Sequence, residues 1–154
     1  MSYQTGEAAI LSLIQVLDGF DADNTLSLAN DSTRQAEGLL NSGRSDCYVI
    51  LRPGAFSRVY ADIGASEVHT AWGTVIAIYA LNVSGQGPEK VLVEARQAIL
   101  DQLSAHLQLG DSAVLGINGF SGSEIGSRTV ADDTFIVQEV RVEWVEVGAV
   151  AQAD

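Results

Sequence analysis

Cysteine, proline, lysine and histidine are all scarce in this chain of 154 residues: one cysteine, two prolines, one lysine and two histidines. A lone Cys47 excludes an internal disulfide and a thiolate metal site, and fits a reducing compartment. Basic residues amount to Lys90 and seven scattered arginines, with no two adjacent, against 20 Asp and Glu, for a net charge of −12. Tight binding to nucleic acid draws on clustered cations that release phosphate counterions; that function class is excluded as the main one. No apolar run approaches the roughly 18 residues of a membrane span. The start, MSYQTGEAAILSLIQVL, has no basic leader and carries Glu7 within a helical period, so no export signal is expected.

The apolar side is well supplied. Leu, Ile, Val and Phe make up 45 of the 154 residues, about 29%, well above the roughly 20% at which disorder becomes the default. The length suits one domain, and by area scaling such a chain buries about two-thirds of its unfolded surface. One real core follows, with disorder expected only at the tips.

Periodicity sets out the elements. Ile10, Leu13, Ile14 and Leu17 form one helical stripe, closed by Gly19 and the polar run Asp21–Thr25. A short second helix is expected after Asp31-Ser32, with Gln35 placed for a capping box and Asn41-Ser42-Gly43 as its end. Cys47–Leu51 reads as a strand broken by Pro53-Gly54. Residues 67–83 form the longest strand candidate, with Trp72, Ile76 and Ile78 on one face and Val75, Tyr79 and Leu81 on the other. Large apolar groups on both faces point to a central, doubly covered strand.

Pro88 and Glu89 then open a helix expected over 88–109, with Leu92, Ala95, Ile99, Leu103 and Leu107 on its buried face and Gly110 as its stop. Strands are expected at 113–120 and 134–147, the latter alternating Ile136, Val140, Val142 and Trp144 with Glu139, Arg141 and Glu143. The polar stretch 121–133 between them is long for a hairpin and reads as an arm that is mobile or held by another chain. The fold class is therefore α+β: an antiparallel or mixed sheet against two to three helices, a single domain over 1–147, and a flexible tail over 148–154.

Catalytic constellations are not found. His69 and His106 have no partner at ligand spacing and read as a strand residue and a helix C-terminal residue. Cys47 opens an apolar strand, where an inert buried thiol is the usual outcome. Gly85-x-Gly87 lacks the third glycine and the Lys-Ser/Thr pair of a phosphate loop and reads as helix-start chemistry. Asp21, Asp23 and Asn24 only faintly match a calcium loop. Asp132-Asp133 lies on the polar arm, where nothing raises the pKa of either carboxyl. The expectation is a non-enzyme with no cofactor and no metal. Glu139, Arg141 and Glu143 form a charged strand face, either solvated or paired across a subunit boundary.

The order of elements then carries a resemblance. An N-terminal helix, a short helix ending at Leu39-Leu40, the segment Tyr48–Phe56 with its Arg52-Pro53-Gly54-Ala55-Phe56 turn, a long strand, a Pro-started helix and two closing strands follow one another over about residues 6–147. This order resembles the tail terminator, or tail completion, proteins of long-tailed bacteriophages. The resemblance implies a structural virion protein, made in the bacterial cytoplasm. It would form a ring, usually of six copies, on the head-proximal end of the tail tube. The ring would stop tube growth, meet the tail tube protein below and the head–tail connector above, and let DNA pass without specific binding and without a membrane. Six copies at −12 would carry −72, and a negative lumen repels DNA. A head-completion or neck protein is the first alternative, and a monomeric binding module or small enzyme the second. Exposure logic puts subunit contacts at Phe56 and Arg58 on the turn, Ile125 and Arg128 on the arm, and the Glu139, Arg141, Glu143 face.

Overall fold

A computed structural model of the chain describes residues 3–60, 67–82, 87–106 and 114–149. Its elements run α1 (Tyr3–Gln15), β1 (Thr25–Ser27), α2 (Thr33–Leu40), β2 (Cys47–Tyr60), β3 (Glu67–Leu81), α3 (Pro88–Ala105), β4 (Val114–Gly122), β5 (Gly126–Val130) and β6 (Asp133–Ala149). The strands form one mixed sheet in the order β1-β2-β3-β6-β4, with β5 also on β6. Only the β1–β2 pair is parallel; β2–β3, β3–β6, β4–β6 and β5–β6 are antiparallel. The fold class is the expected α+β.

The long strand β3 is central, paired from Glu67 to Leu81 with β6 and over most of its length with β2. Its period-two alternation sends Ile76, Ile78 and Ala80 to one face, where they join Val49, Leu51, Val140, Val142 and Trp144. Ile10 and Ile14 of α1 and Leu92, Ile99 and Leu103 of α3 cover that face and have no exposed surface. Each such aliphatic side chain contributes about 1.5–3 kcal/mol by leaving water. Ala77 and Tyr79 point to the other face, where Tyr48, Ile50 and Phe135 meet Leu26 and the Ala36 and Leu40 side chains of α2. Tyr48 and Tyr79 both stand edge-on to the Phe135 ring. The doubly covered strand is thus found, over Ile76–Ala80, and the chain itself supplies both covers. Sister copies are not needed to bury that stretch.

Helix boundaries follow their local chemistry. Ser32 caps α2 with its hydroxyl on the Gln35 N–H, and the Gln35 side chain accepts from the Ser32 N–H: the expected capping box. Pro88 opens α3 after Gly87, whose φ of 86° only glycine adopts without strain. The helix ends at Ala105, short of the expected 109. His106 caps it, with its N–H on the Leu103 carbonyl, and Gly110 lies outside the described residues.

Four further expectations are corrected. Pro53-Gly54 does not end the second strand, because a bulge between Pro53 and Phe56 absorbs the misfit and pairing resumes to Tyr60↔Val68. Proline at a strand edge loses no ladder bond, and a bulge re-aims the chain without terminating it. The expected arm at 121–133 is mostly strand. Its first residues extend β4, Gly126–Val130 pairs back on β6, and a tight turn at Ala131-Asp132 joins them. Next, the tail expected from 148 begins as strand, since Gly148 and Ala149 pair with Val68 and Glu67; residues 150–154 lie outside the described residues. Finally, the three-residue β1 had no expected counterpart.

Candidate functional site

Below Leu51 and Ile76 the sheet changes character, and the sequence-derived contact residues gather there or beside it. On the helix-covered face an aromatic group fills the space. Tyr3 of α1 packs on Trp72 and Trp144 at 5.2 and 5.9 Å between ring centroids. Phe56 lies against Trp72 at 5.3 Å and is 66% exposed. Gly6 is obligatory here, since a Cβ at that position would sit 2.1 Å from the Trp144 ring.

A directed hydrogen-bond chain runs under these rings. The Trp144 indole N–H donates to the Thr74 hydroxyl at 3.0 Å, and Thr74 lies 3.0 Å from the Tyr3 hydroxyl. Tyr3 donates in turn to the fully buried Glu7 carboxylate at 2.7 Å. Because the Tyr3 proton points to Glu7, the Thr74 proton points to Tyr3. The Ser27 hydroxyl and the Ala29 N–H, the latter at 2.8 Å, donate to the other Glu7 oxygen. Burial, the largest cause, raises the Tyr3 phenol, Glu7 adds to the rise, and the Thr74 hydrogen bond opposes it. Glu7 thereby ties α1 to the end of β1, which accounts for a buried strand whose Thr25 and Ser27 are polar.

The opposite face is charged. Arg52 of β2 pairs with Glu139 of β6 within the chain, and Arg141 stands 3.7 Å from Glu143. Both pairs are substantially exposed, so each is worth about 0–1 kcal/mol. The expected charged face of Glu139, Arg141 and Glu143 is therefore present, with Arg52 as a partner that sequence reasoning missed. Cross-strand neighbours at Arg52↔Val75 and Val75↔Arg141 supply the signal, which needs the register and is not visible in the sequence alone.

Arg128 of β5 donates to the Tyr79 hydroxyl at 2.8 Å. It lies where a hollow of about 770 Å3, shared with Arg52 and Glu139, meets a second of about 630 Å3 beside Ala36 and Leu40. Ile125 is exposed in the link between β4 and β5. Arg58 pairs in register with Thr70; its side chain lies outside the described residues. Phe56 and the charged residues thus stand on opposite faces of one sheet, and Arg128 and Ile125 on or beside its β5 margin.

The sheet has two open margins at this level. β1 pairs with β2 only over Val49–Leu51, so among the described residues no strand pairs on the outer side of Arg52–Tyr60. At the other margin β4 pairs with β6 and with no further strand among those residues. Phe120 lies on this second margin, 38% exposed. Sequence reasoning missed it; an apolar residue closing a glycine-rich strand was the available signal.

Three of the other groups weighed in the sequence have structural surroundings: the Asp21–Asn24 turn, His106 and Cys47. The Asp21 carboxylate accepts from the Asp23 N–H and Asn24 caps the same turn. His106 Nδ1 lies 3.0 Å from the Gln102 carbonyl at the helix end. The Cys47 thiol is pushed up to about 12, mainly by burial and then by Asp46, and stays protonated at neutral pH. Among the described residues no group of three or more His, Cys, Asp or Glu is arranged to hold a metal ion, and no helix is long and apolar enough to cross a membrane. No protein-family model matches the sequence, and no curated protein matches it.

Proposed function

We propose that this chain is a non-catalytic, ring-forming structural protein of a phage tail, a tail terminator that caps the head-proximal end of the tail tube and offers the joining surface to the head. The observation that carries the reading is the order and layout of the elements: a hairpin of long strands, β2 and β3, then the Pro-started α3, then β6 returning beside β3. This is the succession that carries the resemblance to tail terminators. Three features support it. The margins of the sheet are open, the exposed Phe56 stands beside one of them, and the strongly acidic charge suits a passage through which DNA slides.

Rings arise when one surface of a protomer meets a different surface of the next and the rotation closes. Light scattering after size exclusion, with electron microscopy of the same fraction, tests the proposal. A closed ring that binds tail tubes and stops their elongation is the expected result. A strictly monomeric chain, even with tail tube protein present, would overturn it. Binding to DNA-filled heads and not to tails would instead assign the ring to the neck.

A further inference from the structure

We infer that copies of this chain join edge to edge, β4 of one pairing antiparallel with the free stretch Arg52–Tyr60 of β2 in the next, and Phe120 of the first packing against Phe56 of the second. The inference rests on the ring reading above and specifies its interface.

Strand direction and height both permit it. β4 is antiparallel to β6, β6 to β3 and β3 to β2, so β4 and β2 run oppositely within one sheet. Setting copies side by side keeps that relation at the junction. Following the register across the sheet, Val114 lies level with Glu146, Thr70 and Arg58, whereas Gly122 lies level with Val140, Ile76 and Leu51. β4 therefore spans the height at which β2 lacks an outer partner, just below β1. A neighbour moved laterally, without sliding along the strands, brings one unpaired backbone row onto the other.

The side chains agree with the backbone. Phe56 sits opposite Trp72, and Phe120 opposite Val142, which is level with Thr74. Residues directly opposite share a face, so both phenylalanines project on the helix-covered side, two β3 residues apart. That offset is about 7 Å along the strand, the diagonal relation in which aromatic side chains on adjacent strands reach each other. Each is one of the few large apolar side chains exposed among the described residues.

Charge and edge protection point the same way. A chain of net charge −12 repels its own copies, yet neither Arg52–Tyr60 nor Val114–Gly122 contains an Asp or Glu, and the first carries two arginines. Pro53 and the adjoining bulge blunt the upper part of the β2 margin against indiscriminate pairing. Residues 56–58 remain for a partner of matching height, Val114–Ile117 of β4.

Amide hydrogen exchange read by mass spectrometry, on the full chain at assembling and at dilute concentration, tests this. Residues 56–58 and 114–117, which the register sets level with each other, should both exchange about tenfold or more slowly in the assembled sample. The double variant Phe56→Ala/Phe120→Ala, which alters only partly or largely exposed side chains, should keep the monomer's far-ultraviolet circular dichroism and weaken assembly. Arg58→Pro, which removes a backbone donor that faces away from β3 and into the margin, should do the same. An oligomer whose two margins exchange as in the monomer, or whose assembly ignores both variants, would overturn the edge pairing and leave the ring standing. Failure of the unmodified chain to assemble at all would remove the ring, and the pairing with it.

Discussion

The same three strands behave as two different materials along their length. Above Arg52 and Val75, strands β2, β3 and β6 are covered on both faces by α1, α3 and α2, and Ile76, Ile78 and Tyr79 are buried by their own chain. Below that level one face carries an aromatic group capped by Tyr3 and the other an open run of charge, Arg141 and Glu143, with Arg52 at its border reaching up to Glu139 beside Ala77. A core needs apolar matter on both sides of a sheet, and only the upper stretch has it. The lower stretch is held by its ladder and by one layer of rings, which leaves its margins and its outer residues for contact. Folding and association are thus assigned to different lengths of the same strands.

The sharpest way to break this division is to exchange its two aromatic roles. Trp144 is fully buried in the middle of the lower stretch, level with Trp72 and Phe56, wedged against Gly6 and bonded to Thr74. Trp144→Ala should cost about 3–5 kcal/mol in chemical unfolding, whereas Phe56→Ala should cost less than about 1 kcal/mol in the monomer. Equal losses at the two positions would mean that the β2 margin of the lower stretch is as much core as its middle. Glu7→Ala comes next in size. It leaves the buried Ser27 hydroxyl and the half-buried Ala29 N–H without their acceptor, a loss of about 1–3 kcal/mol. It should also loosen β1 from α1, seen as faster exchange at Thr25–Ser27.

A pH dependence follows from Cys47 at the top of β2. Burial and Asp46 raise its thiol from about 9 to about 12. Between those values the unfolded chain gives up the proton and the folded chain keeps it, so stability falls as pH rises from about 9 towards 12. Below about 9 both states hold the proton and the residue contributes no slope. Unfolding measured at pH 8 and pH 10 should show the unmodified chain losing about 1 kcal/mol more than Cys47→Ala. An identical loss in both would mean that the thiol is open to water and that the upper stretch is less tightly covered than its geometry indicates.

The two stretches also differ in how far they could be read from sequence. Alternation over Trp72–Leu81 assigned every named residue of β3 to its observed face, because burial on both sides imposes a strict pattern. The capping box at Ser32 and the proline start at Pro88 were legible because each is a local hydrogen-bonding device. Long-range features were not. β1 has only three residues, and its polar Thr25 and Ser27 are buried through Gln15 and Glu7, partners distant in sequence. Pro53-Gly54 looked like a break because a bulge that rescues pairing depends on Thr74 and Trp72 across the ladder. The polar 121–133 run lacked an apolar rhythm because β5 is exposed along nearly all its length. Phe56 was found from exposure logic, while Phe120, its counterpart on the opposite margin, became visible only once the register was known.

The smallest expected effect tests the charged face of the lower stretch. Arg52 and Glu139 are each about 40% exposed, so water and salt screen them and ordering two long side chains offsets much of their attraction. Arg52→Ala and Glu139→Ala should each change stability by less than about 1 kcal/mol, and their double-mutant cycle should give a coupling of about 0.2–1 kcal/mol that shrinks as salt is raised. A coupling several times larger and insensitive to salt would mean that the pair is desolvated, and desolvation in an exposed pair requires a cover that the single chain does not supply. Measured below and above the concentration of assembly, the cycle therefore reports whether this face becomes buried when copies meet. Edge-to-edge pairing brings a neighbour beside the sheet and not onto it, so the coupling should be the same in both samples.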